Sequence, residues 1–147
     1  MKLIAIYKID MEYIFFPYSL TVRKRPVPSP PFTHIGINES HEVLTKCFLE
    51  TFKAIGYDIP DVEPSERKLI EKRLLDGLGV KSLLQLHKTA AYCSATLKDN
   101  SIVITPTINR VSDKMFSFIN GKSITVSENA SAGELSKALN DAFDQCE

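Results

Sequence analysis

The chain has 147 residues, of which 44% are hydrophobic and 24% charged, and its 18 basic and 18 acidic side chains give a formal net charge of zero. This length predicts one domain over residues 1–147, with roughly 70% of the unfolded surface buried. A neutral balance disfavours a dedicated nucleic-acid-binding protein, because such proteins usually carry a basic excess. The three cysteines, Cys47, Cys93 and Cys146, form no metal-binding spacing, so we expect free thiols and neither a metal nor a cofactor.

The N-terminal segment is apolar but is interrupted by Lys8, Asp10 and Glu12. These charges break the hydrophobic run that a signal peptide needs, and no segment approaches the ~18 apolar residues of a membrane span. We therefore expect a cytoplasmic protein. The β-branched and aromatic residues of this segment predict strands over residues 2–9 and 12–20.

A basic and proline-rich segment follows. The triplet Arg23-Lys24-Arg25 precedes four prolines within residues 26–31. Because prolines exclude both a helix and a central strand, we predict an extended loop, followed by a short strand over residues 32–37. The basic triplet supports one alternative function, a nucleic-acid-binding adaptor that contacts phosphates through Arg23–Arg25.

Two helices are predicted in the middle of the chain. Apolar residues at three- and four-residue steps predict the first over residues 41–55. The second is predicted over residues 66–76, with Ser65 as its cap and with Gly77 and Gly79 at its end. A short helix through about Lys88 follows from the capping-box spacing of Ser82 and Gln85.

The connection between these helices carries the candidate binding residues. Asp58, Asp61, Glu63 and Glu66 lie within nine residues, next to Tyr57. An exposed acidic loop can attract a basic partner and raise the rate and specificity of association. We treat these five residues as a candidate binding surface, and a solvated helix connection as the simpler interpretation.

The last third of the chain is the most regular. Residues 91–97 and 101–107 predict a β-hairpin around a short polar turn, and residues 123–127 predict a further strand. Ser131 and Glu134 form a capping box, in which Glu134 is expected to accept from the Ser131 amide, and an apolar stripe then predicts a helix over residues 131–145.

These elements predict an α/β (α+β) domain. We expect a mixed, mostly antiparallel sheet of about five or six strands. We expect its three main helices, over residues 41–55, 66–76 and 131–145, to dock mostly on one face.

A second alternative is catalytic. His41, His87 and Lys88 could act as the acid, base and cation of a small ribonuclease. Neither histidine spacing requires the two imidazoles to converge, so structural roles for both are the simpler interpretation.

The ordered features of residues 79–147 resemble the CdiI family, the immunity proteins of bacterial contact-dependent growth inhibition (CDI) systems. The residues that carry the resemblance are Gly79–Ser82, His87–Ala90, Cys93, Ile102–Thr107, Glu134-Leu135, Ala138-Leu139 and Cys146-Glu147. The resemblance implies a cytoplasmic protein without catalysis of its own. Such a protein binds the C-terminal toxin domain of its cognate CdiA and blocks the active site of the toxin, which in several systems is a nuclease.

Because a nuclease site is basic, the acidic loop is our candidate for the surface that binds the toxin. This step is an inference from charge. No motif of the family assigns it.

Overall fold

The computed structural model describes every residue from Met1 to Glu147. Its elements, in chain order, are β1 (Lys2–Ile9), β2 (Glu12–Leu20), β3 (Pro26–Pro28), β4 (Thr33–Gly36), α1 (His41–Lys53), α2 (Arg67–Leu78), α3 (Leu83–Thr89), β5 (Ala90–Lys98), β6 (Ser101–Arg110), β7 (Met115–Phe118), β8 (Ile124–Ser127) and α4 (Ala132–Asp144). The chain also contains two 3-10 turns, Pro64–Glu66 and Val111–Asp113. The predicted combination of sheet and helices is confirmed.

The eight strands form one sheet that is six strands wide. Its centre is β2-β1-β5-β6, and each outer edge is divided between two short strands, β3 and β4 beside β2 and β7 and β8 beside β6. All these strand pairs are antiparallel. The prolines of β3 lie at an edge, where a missing N–H interrupts no central ladder. Neither β3 nor β7 was predicted as a strand.

Successive side chains of the central strands point to opposite faces of the sheet, so the core is divided into two clusters, one on each face. Ile4 and Ile6 of β1 belong to a cluster of 18 buried residues with α1 and α4, whereas Ala5 and Tyr7 belong to a cluster of 11 with α2 and α3. The prediction that the main helices dock mostly on one face is therefore wrong for α2. Successive strand residues point to opposite faces, and both faces of β1 are apolar, so each requires a cover. None of the helices has the length and apolar character needed to cross a membrane.

Serine side chains cap the starts of three helices, and two of these caps, Ser82 and Ser131, were predicted. The hydroxyl oxygens of Ser40, Ser82 and Ser131 accept from the amides of Val43, Gln85 and Glu134, respectively. The Glu134 carboxylate accepts from the hydroxyl of Ser131, at 3.1 Å, and not from its amide as predicted.

The predicted cap of α2 at Ser65 and the predicted stop at Gly77 are wrong, whereas the predicted stop at Gly79 is confirmed. Ser65 lies inside the 3-10 turn that precedes α2 and does not cap it. At the other end the helix continues through Gly77 to Leu78, and Gly79 ends it in the left-handed conformation at φ 75°. Proline at the start of the turn allows helical backbone to begin earlier than a Ser65 cap would permit.

Gly77 has a packing role inside α2. A Cβ atom at this position would lie 2.5 Å from a ring atom of Phe32, which is closer than real Cβ contacts. The Gly77 carbonyl also accepts from Nε2 of His34 at 2.7 Å. β4 and the segment before it thus lie directly against α2 and leave no room for a side chain at residue 77, which explains the glycine.

Candidate functional site

The acidic loop is fastened to the end of β2 by backbone hydrogen bonds. The amide of Leu20 donates to Gly56, the amide of Ile59 donates back to Leu20, and the amide of Val22 donates to Ile59, at 2.9, 3.2 and 3.0 Å. Thr21 and Ile59 form an isolated parallel bridge at the same place. These bonds place the acidic loop beside the basic triplet, from which it is separated by more than 30 residues of sequence.

Two ion pairs join the loop to the triplet. Nε of Arg23 lies 3.4 Å from Oδ2 of Asp61, and Nζ of Lys24 lies 3.4 Å from Oδ1 of Asp58. The backbone amide of Arg23 also donates to Asp61, at 3.3 Å. We call these four residues the ion-pair surface. Because cations neutralise Asp58 and Asp61, this surface has mixed charge and is not the purely acidic patch that the sequence suggested.

The ion-pair surface is open to solvent. The side chains of Arg23, Lys24 and Asp58 are 73%, 68% and 71% exposed, while that of Asp61 is 32% exposed. Lys24 and Asp58 lie on two turns that face each other. Both residues have positive φ, at 63° and 54°, so the backbone of each turn is left-handed at its charged residue. This left-handed conformation costs about 1–2 kcal/mol in a residue with a Cβ atom, although Asp tolerates it better than most. The charges are thus presented outwards on tight turns.

The other three candidate residues flank these ion pairs. Tyr57 is 50% exposed and precedes Asp58 directly. Glu63 and Glu66 are exposed as well, and the Glu66 carboxylate accepts from the Glu63 amide at 3.2 Å, which caps the 3-10 turn before α2. All five sequence-predicted residues therefore lie in one short segment of the structure. Glu66 also stabilises that segment through its hydrogen bond with the Glu63 amide.

A groove of about 500 Å³ runs beside the ion-pair surface, between β3 and the start of α2. Its charged lining consists of Arg23, Arg25, Asp61, Glu63 and Arg67. Arg23, Lys24, Arg25 and Arg67 were not assigned to the binding surface from the sequence. The approach of Arg23, Lys24 and Arg25 depends on the pairing of the loop with the end of β2, which no local signal shows. Arg67 directly follows Glu66, so its position beside the loop could have been read from the sequence.

The residues of the ribonuclease alternative are not brought together. His41 begins α1 on one face of the sheet, whereas His87 belongs to α3 on the other. His87 is only 3% exposed; its Nδ1 is hydrogen-bonded to Asn109 at 2.8 Å and its ring stacks on Phe116. The buried imidazole therefore has a structural role. Lys88 lines the same cavity as His87, but His41 does not, so the two histidines of the ribonuclease alternative share no site.

The basic triplet of the adaptor alternative is also partnered. Arg23 and Lys24 pair with Asp61 and Asp58, and the Arg25 amide donates to the Thr21 hydroxyl. Nearby carboxylates reduce the attraction that such a segment would offer to a phosphate backbone. Nowhere in the structure do three His, Cys, Asp or Glu side chains converge as they would around a metal ion.

The fold and the family comparison together define the class of protein. The model of the CdiI family, described as CDI immunity protein, matches residues 37–146, and the chain therefore belongs to that family. The match confirms the resemblance seen in residues 79–147 and extends it back to the loop before α1. A search of curated proteins finds no match.

Two solved structures share the whole fold. One is a protein of unknown function, NMB0488 from Neisseria meningitidis, at 16% sequence identity and TM-score 0.81, covering 99% of this chain and 95% of that one. The other is a CdiA-CT/CdiI toxin and immunity complex from Yersinia pseudotuberculosis, at 15% identity and TM-score 0.77, covering 99% of this chain and 97% of that one. At such identities these neighbours establish the similarity of fold.

Proposed function

We propose that this chain is the immunity protein of a CDI system whose toxin is a nuclease. In this proposal it acts in the cytoplasm, binds the C-terminal toxin domain of its cognate CdiA and blocks the active site of that domain, with no catalysis of its own. The observation that carries the proposal is the match of the CDI immunity family over residues 37–146. The ion-pair surface and the loop that bears it supply the candidate contact residues.

Charge complementarity supports this choice of surface. A nuclease must hold phosphate groups, so its active site is lined with Lys and Arg. Asp58, Asp61 and Glu63 are carboxylates on one loop of this chain, and Asp58 is 71% exposed. Carboxylates at phosphate-like positions would occupy such a site and would also steer the encounter.

The existing ion pairs do not prevent that role. Exposed ion pairs contribute only about 0–1 kcal/mol. A cation of the toxin can therefore take the place of Lys24 beside Asp58, or of Arg23 beside Asp61, at little cost. The displaced Lys24 and Arg23 are then free to contact acidic groups of the toxin, and this pattern of both signs would favour the cognate partner over others.

Tyr57 is the proposed apolar anchor of the contact. Aromatic residues account for much of the binding energy of interfaces because they bury a large area with little loss of side-chain entropy. Tyr57 is half-exposed and lies next to the charges. Tyr57→Ala should weaken toxin binding by at least about tenfold. Leu84→Ala, which removes a similarly exposed apolar side chain from α3, is the matched control and should leave the affinity unchanged.

The direct test mixes the purified chain with the toxin domain of its cognate CdiA. We expect a stable complex and loss of nuclease activity at equimolar concentration, and we expect the chain alone to leave RNA and DNA intact. Full nuclease activity without a detectable complex would refute the proposed function. Complex formation with a toxin that is not a nuclease would keep the immunity role and remove the electrostatic argument.

A further inference from the structure

Two of the three cysteines meet although 53 residues separate them. Sγ of Cys93 and Sγ of Cys146 are 3.6 Å apart, and both thiols are reduced. Cys93 lies fully buried in the central strand β5, and Cys146 lies just beyond α4 and is partly exposed. Cys47, in α1, is buried and serves as an internal control.

The Cys146 thiol is open to small reactants. It lines a cavity of about 580 Å³ whose charged and titratable lining is Lys8, Asp10, His87, Lys88 and Glu147. Cys146 is partly exposed and borders this cavity, so a small reactant can approach its side chain. Cys93 lies behind Cys146, with none of its surface exposed.

The environment makes the two thiols chemically unequal. The pKa of Cys146 is lowered to about 7, chiefly by the hydrogen bond with Cys93. Burial opposes this shift, whereas backbone hydrogen bonds at Thr107 and Tyr92 and the charge of Lys8 add to it. The hydrogen bond between the two thiols, together with burial, raises the pKa of Cys93. When protonated, Cys146 can donate to the carbonyl oxygens of Tyr92 and Ala142, and when ionised it accepts from Cys93. The thiolate is the nucleophilic form of cysteine, so Cys146 is the attacking residue and Cys93 the resolving one.

We propose that Cys146 and Cys93 form a peroxide-responsive pair that closes reversibly into a disulfide. The Cys146 thiolate attacks one oxygen of hydrogen peroxide, the O–O bond breaks, and sulfenic acid and hydroxide result. The Cys93 sulfur then attacks the Cys146 sulfur, so that an S–S bond forms, the S–O bond breaks, and the hydroxyl leaves with the Cys93 proton as water. Two equivalents of a small thiol such as glutathione return both cysteines to the reduced form and leave as its disulfide.

The local structure can accommodate the bond. An S–S bond is about 2.05 Å long, so the two sulfurs must approach by about 1.5 Å. Cys146 supplies this movement, because it lies two residues beyond the end of α4, whereas Cys93 is held in the sheet on both sides. Backbone bonds from Glu147 to Thr107 and from Asn109 to Glu147 keep the segment in register while the side chain moves. The closed disulfide would tie α4 to the centre of the sheet.

Mass spectrometry of the intact chain tests the proposal. The reduced protein is treated with hydrogen peroxide at neutral pH, free thiols are blocked, and the digest is examined without reduction. We expect a loss of two hydrogen atoms, a peptide linked through Cys93 and Cys146, and an unmodified Cys47. Dithiothreitol should reverse the change. Oxidation of Cys146 to sulfinic acid without a crosslink, a crosslink between two chains, or preferential oxidation of Cys47 would overturn the proposal.

Variants assign the two roles. Cys146→Ser should abolish both the crosslink and the first oxidation, whereas Cys93→Ser should leave a sulfenic acid at Cys146 that dimedone captures. Cys47→Ser is the matched control and should crosslink like the wild type. If the loss of the buried Cys93 prevents folding, alkylation of the wild type provides the second readout. Cys146 should react with iodoacetamide at least about tenfold faster than Cys47, whose pKa is raised to about 12 by burial; equal rates would contradict the proposal.

Discussion

The C-terminal framework, residues 79–147, and the ion-pair surface are held together by different forces. In the framework, a hairpin of β5 and β6 and the apolar stripe of α4 bury large side chains, and Leu139, Ile102 and Ile104 have no exposed surface. In the ion-pair surface, the contacts are a few backbone hydrogen bonds and two solvent-exposed ion pairs. Burial contributes about 1.5–3 kcal/mol for each large apolar side chain, whereas an exposed ion pair contributes at most about 1 kcal/mol.

This difference suggests that the framework provides stability and that the ion-pair surface provides binding. Stability resides in the framework, and a surface that contributes little to stability is free to change with its partner. Mutations should therefore separate the two properties. Substitutions in each region test whether stability and toxin binding separate in this way.

Leu139→Ala should destabilise the framework most. The side chain is fully buried between α4 and the sheet, and its truncation leaves a cavity, so the free energy of unfolding should fall by about 3 kcal/mol. Leu139→Met keeps the volume and should cost less than about 1.5 kcal/mol. Denaturant unfolding measures both. If the folded Leu139→Ala variant binds the toxin more weakly than the wild type, stability and toxin binding are not separate properties of the two regions.

Gly77→Ala should destabilise α2, against the usual trend in helices. Replacing a helix-interior glycine by alanine normally gains about 1 kcal/mol. Here the new Cβ would meet the Phe32 ring at 2.5 Å, so we expect a loss of about 1–3 kcal/mol. Adding Phe32→Leu should recover part of that loss, as a double-mutant cycle would show. A more stable Gly77→Ala single variant would show that the contact with Phe32 adjusts freely.

Ser131→Ala and Ser65→Ala should differ in effect although both serines precede helices. The Ser131 hydroxyl accepts from the Glu134 amide, so its removal should lower the free energy of unfolding by about 1 kcal/mol. Ser65 makes no such bond, and its replacement should change stability by less than about 0.5 kcal/mol. Thermal or denaturant unfolding distinguishes the two variants. Equal losses would mean that Ser65 caps α2 after all.

Asp58→Asn and Asp61→Asn should have the smallest effect on stability. Each removes one exposed ion pair but keeps the shape of the side chain, so the free energy of unfolding should fall by less than about 1 kcal/mol. A larger loss would show that the ion pairs are structural, which would remove the basis for assigning them to recognition. Unfolding in low and in high salt measures the contribution of the charges.

The framework was largely predictable because its signals are local. The hairpin, the strand before α4 and the Ser131 cap of α4 depend on residues within a few positions of one another. The assignment of α2 to the other face was not predictable from its own pattern, since it follows from the apolar character of both faces of β1. The role of Gly77 inside α2 was missed because its contact with Phe32 links residues 45 positions apart in the sequence.

The candidate site was predictable only in part. The carboxylates of the loop are visible in the sequence, but their pairing with Arg23 and Lys24 is not. That pairing depends on the bridge between Thr21 and Ile59, which forms only in the folded protein. The sequence therefore showed the acidic loop and the basic triplet separately, but not that they form one surface.

The association rate constant with the cognate toxin domain shows whether the loop of the ion-pair surface binds the toxin. The combination of Asp58→Lys, Asp61→Lys and Glu63→Lys reverses the charge of the loop. The control, Glu50→Lys with Asp141→Lys and Asp144→Lys, makes the same change in net charge on α1 and α4. We predict that the first variant associates at least about tenfold more slowly at low salt and loses its salt dependence, while the control stays within about threefold of the wild type. Equal rates for the two variants would show that the loop does not bind the toxin.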